Sequence, residues 1–308
     1  MIVNPLRTLI LAAAGNDTVR RVVATAPVSR DVVRRFVAGE TTADAIDAAG
    51  RLIGDGLRVT LDHLGEDTAD RATAERTVRA YLELLDQLHD VGLAADAEVS
   101  VKLSAVGLGL SETVALDNAS RICAAAEQAG TTVTLDMEDH TTTDATLRVL
   151  AELRRHWPSV GAVLQAYLRR TLDDVRELAD TRVRLCKGAY AEPPSVAFVD
   201  PHEVDVNYVR CANVLLAGSG YPMFATHDPR LIEIVSERAR WYGKPVEDFE
   251  FQMLYGVRTG EQRHLAAEGH VVRVYVPFGG QWYGYLMRRL AERPANVAFF
   301  LRSLVSRS

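Results

Sequence analysis

The 308-residue chain has few cysteines, no long apolar run and no excess of basic residues. Its three cysteines, Cys123, Cys186 and Cys211, match no zinc-binding spacing and lie in apolar or helical stretches, so we expect reduced, buried thiols and a reducing compartment. No apolar run approaches the roughly 18 residues of a membrane-spanning helix. The formal net charge of −6 argues against nucleic-acid binding, because no broad basic field is present to neutralise phosphates. We therefore expect a cytoplasmic protein, and a peripheral association with the inner face of the membrane stays open.

Several well-known catalytic and cofactor motifs are also missing. The chain has no P-loop, no nucleophile elbow and no G-x-G-x-x-G turn. Residues 136–140 have metal-ligand residue types, but the last two lie beyond the predicted strand and no H-E-x-x-H pattern accompanies them, so we predict no metal site. A nucleotide cofactor would therefore be held by something other than a Rossmann unit.

The sequence does contain a regular alternation of short apolar runs and helical patterns. Eight apolar or β-branched runs predict strands at 57–61, 98–103, 132–137, 160–167, 182–186, 222–225, 249–254 and 271–276. Helical patterns occupy 72–91, 113–129, 143–156, 172–179, 204–217, 229–242, 259–267 and 281–291. Eight such units predict an α/β protein with a closed (β/α)8 barrel, and a doubly wound open sheet is the nearest alternative. We predict an N-terminal helical segment at 1–56, packed on a barrel of residues 57–308.

Polar side chains lie at the end of every predicted strand, where a (β/α)8 barrel builds its active site. They are Asp62 and His63, Lys102 and Ser104, Asp136 and Glu138, Gln165 and Tyr167, Lys187 and Tyr190, Thr226 and His227, Tyr255, and Tyr275. A purely structural protein has little reason to place so many acids, bases and donors at one end of a barrel. The pattern therefore predicts an enzyme.

Lysine is rare, and its placement is uneven. Of the 35 basic residues only Lys102, Lys187 and Lys244 are lysines, and the first two close strands. Lys102 and Asp136 end neighbouring strands, and buried charges are tolerated mainly as pairs. A salt bridge that serves stability alone is the alternative, but the number of polar strand ends favours a functional pair. Lys244, beside a proline, resembles an ordinary surface loop residue.

Two adjacent arginines, Arg288 and Arg289, follow an aromatic stretch in the last predicted helix. Two guanidinium groups can bind a carboxylate in a bidentate manner. An Arg-Arg pair on a helix more often lies on a solvent-exposed face. Glu292, four residues after Arg288, is placed to form a surface ion pair with it. Both interpretations stay open at this point.

Motifs along most of the chain resemble those of proline dehydrogenases. They are VSVKLS at 99–104, LDME at 135–138, QAY at 165–167, RLCKGAY at 184–190, FATH at 224–227, FQMLYG at 251–256, YVPFG at 275–279, YLMRRLAE at 285–292, and Asn296. They occur in the family's order from about residue 58 to the C-terminus. The chain departs from the family pattern at Ala191 and Asp228, where an aromatic residue and an asparagine are usual.

The resemblance implies a fold and a reaction. The family fold is a distorted (β/α)8 TIM-like barrel with extra N-terminal helices and non-covalently bound FAD at the carboxyl ends of its strands. The implied activity is that of an FAD-dependent proline dehydrogenase, which oxidises L-proline to pyrroline-5-carboxylate by hydride transfer to FAD. This is the first step of proline catabolism. The electrons are expected to pass to a membrane quinone, and a separate pyrroline-5-carboxylate dehydrogenase is expected for the next step.

The resemblance also implies residue roles. Lys102, Arg288 and Arg289 match the cations that hold the substrate carboxylate, and Asp136 matches an active-site aspartate that orients them. Tyr275 and Leu254 match the walls of the proline site. Arg184 matches a guanidinium near the reactive flavin nitrogen, where a fixed cation raises the reduction potential. The other expected cofactor- or site-contacting residues are Met137, Gln165, Lys187, Gly188, Ala189, Tyr190, Thr226, His227 and Glu292.

Two rival functions stay under consideration. A Schiff-base aldolase on the same barrel would use Lys102 or Lys187 as its nucleophile. It predicts a colourless protein that borohydride traps with a carbonyl substrate. A non-catalytic scaffold predicts no substrate-dependent redox change and tolerance of Lys102→Ala. Neither rival accounts for Arg288 and Arg289 together with Tyr275.

Overall fold

The computed structural model describes residues 33–292 of the chain. Eight parallel strands form a closed barrel in which neighbours follow chain order and the last strand pairs with the first. The strands are β1 (Arg58–His63), β2 (Ala97–Val101), β3 (Val133–Leu135), β4 (Gly161–Gln165), β5 (Arg182–Cys186), β6 (Tyr221–Ala225), β7 (Glu250–Leu254) and β8 (Val272–Phe278). The predicted fold class is confirmed.

In the described part of the chain, one helix lies directly before β1, and one helix follows each strand. They are α1 (Thr42–Gly54), α2 (Arg71–Asp90), α3 (Glu112–Ala129), α4 (Thr143–Arg154), α5 (Thr171–Leu178), α6 (Pro201–Ala217), α7 (Pro229–Trp241), α8 (Thr259–Ala267) and α9 (Trp282–Glu292). Short 3₁₀ turns at Ala94–Asp96 and Val246–Asp248 precede β2 and β7. Within residues 33–292, none of the helices has the length and apolar character needed to cross a membrane.

The strands alternate between an apolar outer face and a polar inner face. In β2, Val99 and Val101 belong to the hydrophobic core, whereas the side chain of Glu98 accepts from Thr60 of β1 and that of Ser100 donates to Asp136, just after β3. Successive side chains of a strand point to opposite faces, so every second residue enters the interior. The same alternation brings the last inward-pointing residue of each strand to the mouth of the barrel.

The first and last helices are arranged differently from the others. Helix α1 packs against β1 and β8. Helix α9 instead sends the side chains of Tyr285 and Arg289 toward the cavity at the mouth of the barrel. Part of the predicted N-terminal segment, residues 1–32, lies outside the described residues, so the domain division at residue 56 stays a prediction.

Two details differ from the expectations drawn from the sequence. The runs predicted at 98–103, 132–137 and 160–167 end as strands at Val101, Leu135 and Gln165, because the chain leaves the sheet where the cavity begins. Lys244 is half-buried, and its Nζ donates to the carbonyl oxygens of Gly218 and Gly220, at 2.9 Å each. It therefore holds the turn before β6 and is not an ordinary surface loop residue.

Candidate active site

A cavity of about 670 Å³ opens at the carboxyl ends of the strands. This volume lies within the usual range of small-molecule sites. The predicted site residues that line it are Lys102, Asp136, Met137, Gln165, Arg184, Lys187, Gly188, Ala189, Tyr190, Thr226, His227, Leu254, Tyr275 and Arg289. The side chains of the two remaining predicted residues, Arg288 and Glu292, lie outside the described part of the structure.

The floor of the cavity holds a cluster of buried charges around Lys102. Its Nζ lies 2.8 Å from Asp62 Oδ2, 3.4 Å from Asp136 Oδ2 and 3.3 Å from the Tyr275 hydroxyl. Burial alone would lower the pKa of Lys102, but the carboxylates of Asp62 and Asp136 outweigh it and raise the pKa well above its usual value. Lys102 is therefore a fixed cation at neutral pH.

Asp136 is the acceptor on which the cluster converges. Its Oδ1 accepts from Ser100 Oγ at 2.7 Å and from Arg184 Nη1 at 2.8 Å, and its Oδ2 accepts from the Tyr275 hydroxyl at 2.6 Å. Burial would raise the pKa of Asp136, but Lys102 and Arg184 overcome that effect and lower it. Burial and the neighbouring Asp136 carboxylate raise the pKa of Tyr275, so its hydroxyl stays protonated and donates.

Arg184 links the cavity to the interior of the barrel. Its Nη1 bonds to Asp136, its Nη2 lies 3.3 Å from Glu98 Oε1, and its guanidinium stands 5.3 Å from the Tyr275 ring centroid. Glu98 also pairs with Arg182 at 2.7 Å. The Nε of Arg184 is buried and has no hydrogen-bond partner among the described residues. A buried donor without a partner is costly, so this atom is suited to an acceptor on a bound molecule.

The loop after β5 supplies one wall of the cavity. Gly188 has φ +107°, and a β-carbon at this position would overlap the Tyr167 ring. The close approach that requires glycine is therefore to Tyr167, a contact that the sequence did not predict. Lys187 pairs with Asp205 at 2.5 Å and with Asp228 at 3.3 Å, and Arg230 contacts both carboxylates. Asp228, where an asparagine is usual in the family, thus has a defined partner here.

Other predicted cofactor residues also position the backbone. His227 Nε2 accepts from the backbone N–H of Leu254 at 2.9 Å, which ties β6 to β7. Gln165 Nε2 donates to the carbonyl oxygen of Glu138 at 2.8 Å. The Thr226 hydroxyl accepts from the backbone N–H of Asp228 at 3.1 Å. These bonds hold the strand ends that form the cavity wall.

Several cavity residues were not assigned a role from the sequence. Asp62, Asp228, Arg258 and Tyr285 line the cavity, and Glu98 lies beneath it. A signal for part of this set was present, since polar residues recur at every second position in β2, as Glu98, Ser100 and Lys102. In an apolar barrel interior such a repeat predicts a buried polar network.

The geometry disfavours a lysine nucleophile. A Schiff-base lysine needs a neutral amine, which a lowered pKa provides. The two carboxylates around Lys102 have the opposite effect. Lys187 is likewise paired with Asp205 and Asp228. Within residues 33–292, no group of three or more His, Cys, Asp or Glu side chains is placed to hold a metal ion.

Known proteins resemble this chain over nearly its full length. A model of the proline dehydrogenase family matches residues 45–302. Proline dehydrogenase 1 of Bacillus subtilis is 38% identical over 304 residues, which are 98% of this chain and 100% of that protein. Proline dehydrogenase of Deinococcus radiodurans is 42% identical over 282 residues, which are 89% of this chain and 90% of that protein.

Solved structures show the same fold. Proline utilization A (PutA) of Bdellovibrio bacteriovorus, inactivated by N-propargylglycine, matches with a TM-score of 0.80 and 26% identity over 90% of this chain and 34% of that one. A PutA mutant of Bradyrhizobium japonicum matches with a TM-score of 0.71 and 27% identity over 87% of this chain and 31% of that one. The chain thus spans about a third of the length of these two proteins. It belongs to the proline dehydrogenase family of oxidoreductases.

Proposed function

We propose that this enzyme oxidises L-proline to pyrroline-5-carboxylate by hydride transfer to FAD and passes the electrons to a membrane quinone. The observation that carries the proposal is the cluster at the cavity floor, where Lys102, Tyr275 and Arg184 converge on Asp136. Such a cluster offers a fixed cation, a hydroxyl and an apolar ring at one point. Family membership supports proline as the substrate.

The substrate carboxylate is bound by cations at the mouth and floor of the cavity. Lys102 and Arg289 both line the cavity. We include Arg288 because its motif resembles that of the family. Asp136 fixes Lys102 and the Tyr275 hydroxyl. The ring of Tyr275 and the side chain of Leu254 pack on the proline ring. Fixed groups of this kind orient the bond that reacts and avoid reorganisation during the reaction.

The residues around the cavity fit a flavin. FAD, when bound, supplies the hydride acceptor of the reaction. The buried Nε of Arg184, which has no hydrogen-bond partner among the described residues, is a donor suited to the flavin ring. The guanidinium favours negative charge beside it and so raises the reduction potential of a flavin held there. The further residues proposed to hold the cofactor are Met137, Gln165, Lys187, Gly188, Ala189, Tyr190, Thr226, His227 and Glu292.

The partners follow from this chemistry. Two electrons must leave the reduced cofactor after each turnover, and we propose a membrane quinone as their acceptor. The enzyme would act in the cytoplasm and meet the inner face of the membrane peripherally. A separate pyrroline-5-carboxylate dehydrogenase would use the product.

The visible absorption spectrum of the purified protein tests the proposal. We expect a yellow flavin spectrum that anaerobic L-proline bleaches, whereas alanine and L-valine leave it unchanged. Acid precipitation should release the flavin, because it is bound non-covalently. A colourless protein that takes up no added FAD would overturn the proposal. Trapping of a carbonyl substrate by borohydride would then favour the Schiff-base alternative.

A further inference from the structure

Asp62 at the end of β1 lies on the cavity floor but has only one of its carboxylate oxygens in use. Its Oδ2 accepts from Lys102 Nζ at 2.8 Å. Its Oδ1 is buried and has no hydrogen-bond partner among the described residues, and the residue as a whole is 1% exposed. A buried carboxylate oxygen without a donor is costly. A bound molecule that brings a donor to this oxygen would remove that cost.

The other carboxylates of the cavity wall are already occupied. Within the described residues, Asp62, Asp136 and Asp228 are the acids that line it. Both oxygens of Asp136 accept hydrogen bonds, from Ser100 and Arg184 on one side and from Tyr275 and Lys102 on the other. Both oxygens of Asp228 do so as well, from Arg230 and Lys187. Asp62 Oδ1 is therefore the carboxylate oxygen of this set that remains free to accept.

A cyclic α-amino acid presents two opposite charges on one carbon atom. Its carboxylate and its amine nitrogen are consequently about 3 Å apart, and a site that binds both needs a cation and an acceptor side by side. Lys102 Nζ and Asp62 are such a pair, joined at 2.8 Å. The proposed carboxylate-binding cations leave the amine without an acceptor.

We propose that Asp62 Oδ1 accepts a hydrogen bond from the ring nitrogen of the substrate, so that Asp62 and Lys102 together recognise an α-imino acid. The inference rests on the proposed function, because it takes proline as the substrate and Lys102 as a ligand of its carboxylate. Asp62 thereby favours ligands with a ring nitrogen over ligands of the same shape whose ring contains only carbon.

The substitution Asp62→Asn separates this role from the contact with Lys102. The Lys102 ammonium is only a donor, so the single amide oxygen of asparagine stays on Lys102. The amide NH2 then occupies the position of Oδ1, where it cannot accept from the substrate. The variant therefore keeps the contact with Lys102 and removes the acceptor.

The experiment compares two ligands in two proteins. Proline affinity is measured by flavin bleaching, and cyclopentanecarboxylate, which has carbon in place of the ring nitrogen, is measured as a competitive inhibitor. We expect Asp62→Asn to weaken proline binding about 10- to 100-fold, which corresponds to the loss of a hydrogen bond to a charged group. The inhibition constant of cyclopentanecarboxylate should change by less than about 3-fold, because this ligand has no ring nitrogen to lose a bond. Asp90→Asn, at an exposed carboxylate of α2, is the matched control and should leave the affinity for both ligands unchanged.

Each result has a definite meaning. Equal weakening of both ligands would overturn the inference and assign Asp62 to positioning Lys102. If Asp62→Asn fails to fold, the wild-type protein can still overturn the inference, because equal affinity for the two ligands would show that the nitrogen is not recognised. A wild-type flavin that proline does not bleach would overturn the proposed function itself, and that result is visible before any variant is made.

Discussion

Arg289 shows how a single side chain at the mouth of the cavity can be tested. It lines the cavity from α9, and its guanidinium stands 5.2 Å from the Tyr285 ring centroid. A guanidinium held against an aromatic face is already partly ordered, so it loses less side-chain freedom when an anion binds.

We expect Arg289→Ala to raise the KM for proline at least about 10-fold, as loss of a charge-assisted hydrogen bond does, while flavin content stays unchanged. Steady-state kinetics and the absorption spectrum measure the two quantities. Arg155→Ala is the control, since that side chain is 71% exposed and pairs with Glu152 on the outer surface of α4. Flavin loss with an unchanged KM for proline would contradict the carboxylate-binding role.

At the scale of elements, the loop between β5 and α6 depends on the packing of Gly188 against Tyr167. Tyr167 is further held by Glu192, which accepts from its hydroxyl at 3.2 Å and from the backbone N–H of His140 at 2.9 Å. The loop that lines the cavity is thus tied to β4 and to the segment after β3. Its position is set by these contacts and not by the loop sequence alone.

Replacement of Gly188 by alanine should displace this loop. The left-handed backbone alone costs an L-residue about 1–2 kcal/mol, and overlap with the Tyr167 ring adds to that. We expect lower flavin content after purification and a lower urea midpoint. Gly269→Ala is matched, because Gly269 has φ +90° and open space around it. Equal flavin content in the two variants would show that the loop tolerates the displacement.

The arrangement of α1 and α9 also belongs to this scale. Helix α1 covers β1 and β8 on the outside of the barrel. Because that face is already covered, α9 is able to lie at the mouth and contribute Tyr285 and Arg289 to the cavity. Helix α9 thus serves the site, and α1 completes the outer layer over β1 and β8.

For the whole molecule, a buried ion network runs through the interior of the barrel. Glu98 is 2% exposed and contacts Arg182, Arg184 and Thr60. Glu250 pairs with Arg273 at 2.7 Å. Charges this deep in the barrel are stable only because each has a partner, and removal of one partner leaves the others uncompensated.

We expect Glu98→Gln to lower the free energy of unfolding by about 3–5 kcal/mol, the usual effect of breaking a buried ion pair. Urea unfolding followed by circular dichroism measures it. Glu75→Gln weakens exposed pairs with Arg121 and Arg79 and should cost less than about 1 kcal/mol. Similar losses in both variants would contradict the view that burial sets the strength of the network.

The same network makes stability depend on pH. Burial would raise the pKa of Glu98, but Arg273, Arg182 and Arg184 hold it well below its usual value, and the pKa of Asp136 is lowered as well. An unfolded carboxyl group with a pKa of about 4.3 binds more protons than the folded one, so this stability is complete above about pH 5 and is lost as pH falls through the folded pKa. Burial raises the pKa of Glu138, so the contribution of that group to stability is lost as pH rises and not as it falls.

We therefore expect the free energy of unfolding to fall as the pH drops below about 5, and to fall less in Glu98→Gln than in the wild type. Each unit of lowered pKa contributes about 1.4 kcal/mol. Urea midpoints at several pH values measure the slope. An identical slope in the two proteins would mean that Glu98 takes up its proton at the same pH whether folded or unfolded.

Several features followed from the sequence alone. The alternation of apolar runs and helical patterns predicted all eight strands and the closed barrel, because parallel strands joined by helices can bury both faces in few other ways. Polar residues at the strand ends predicted where the cavity lies, since a barrel brings those ends together.

The contacts between distant segments were decided only by the tertiary structure. Asp62 and Lys102 are 40 residues apart and Lys102 and Tyr275 are 173 apart, and their separation in space depends on strand register and side-chain packing. The overlap of Gly188 with Tyr167 and the bonds of Lys244 to Gly218 and Gly220 arise in the same way. Local patterns determine which elements form and which faces they bury. The three-dimensional closure of the barrel determines which charges meet, because pairing energy depends on distances that no local pattern contains.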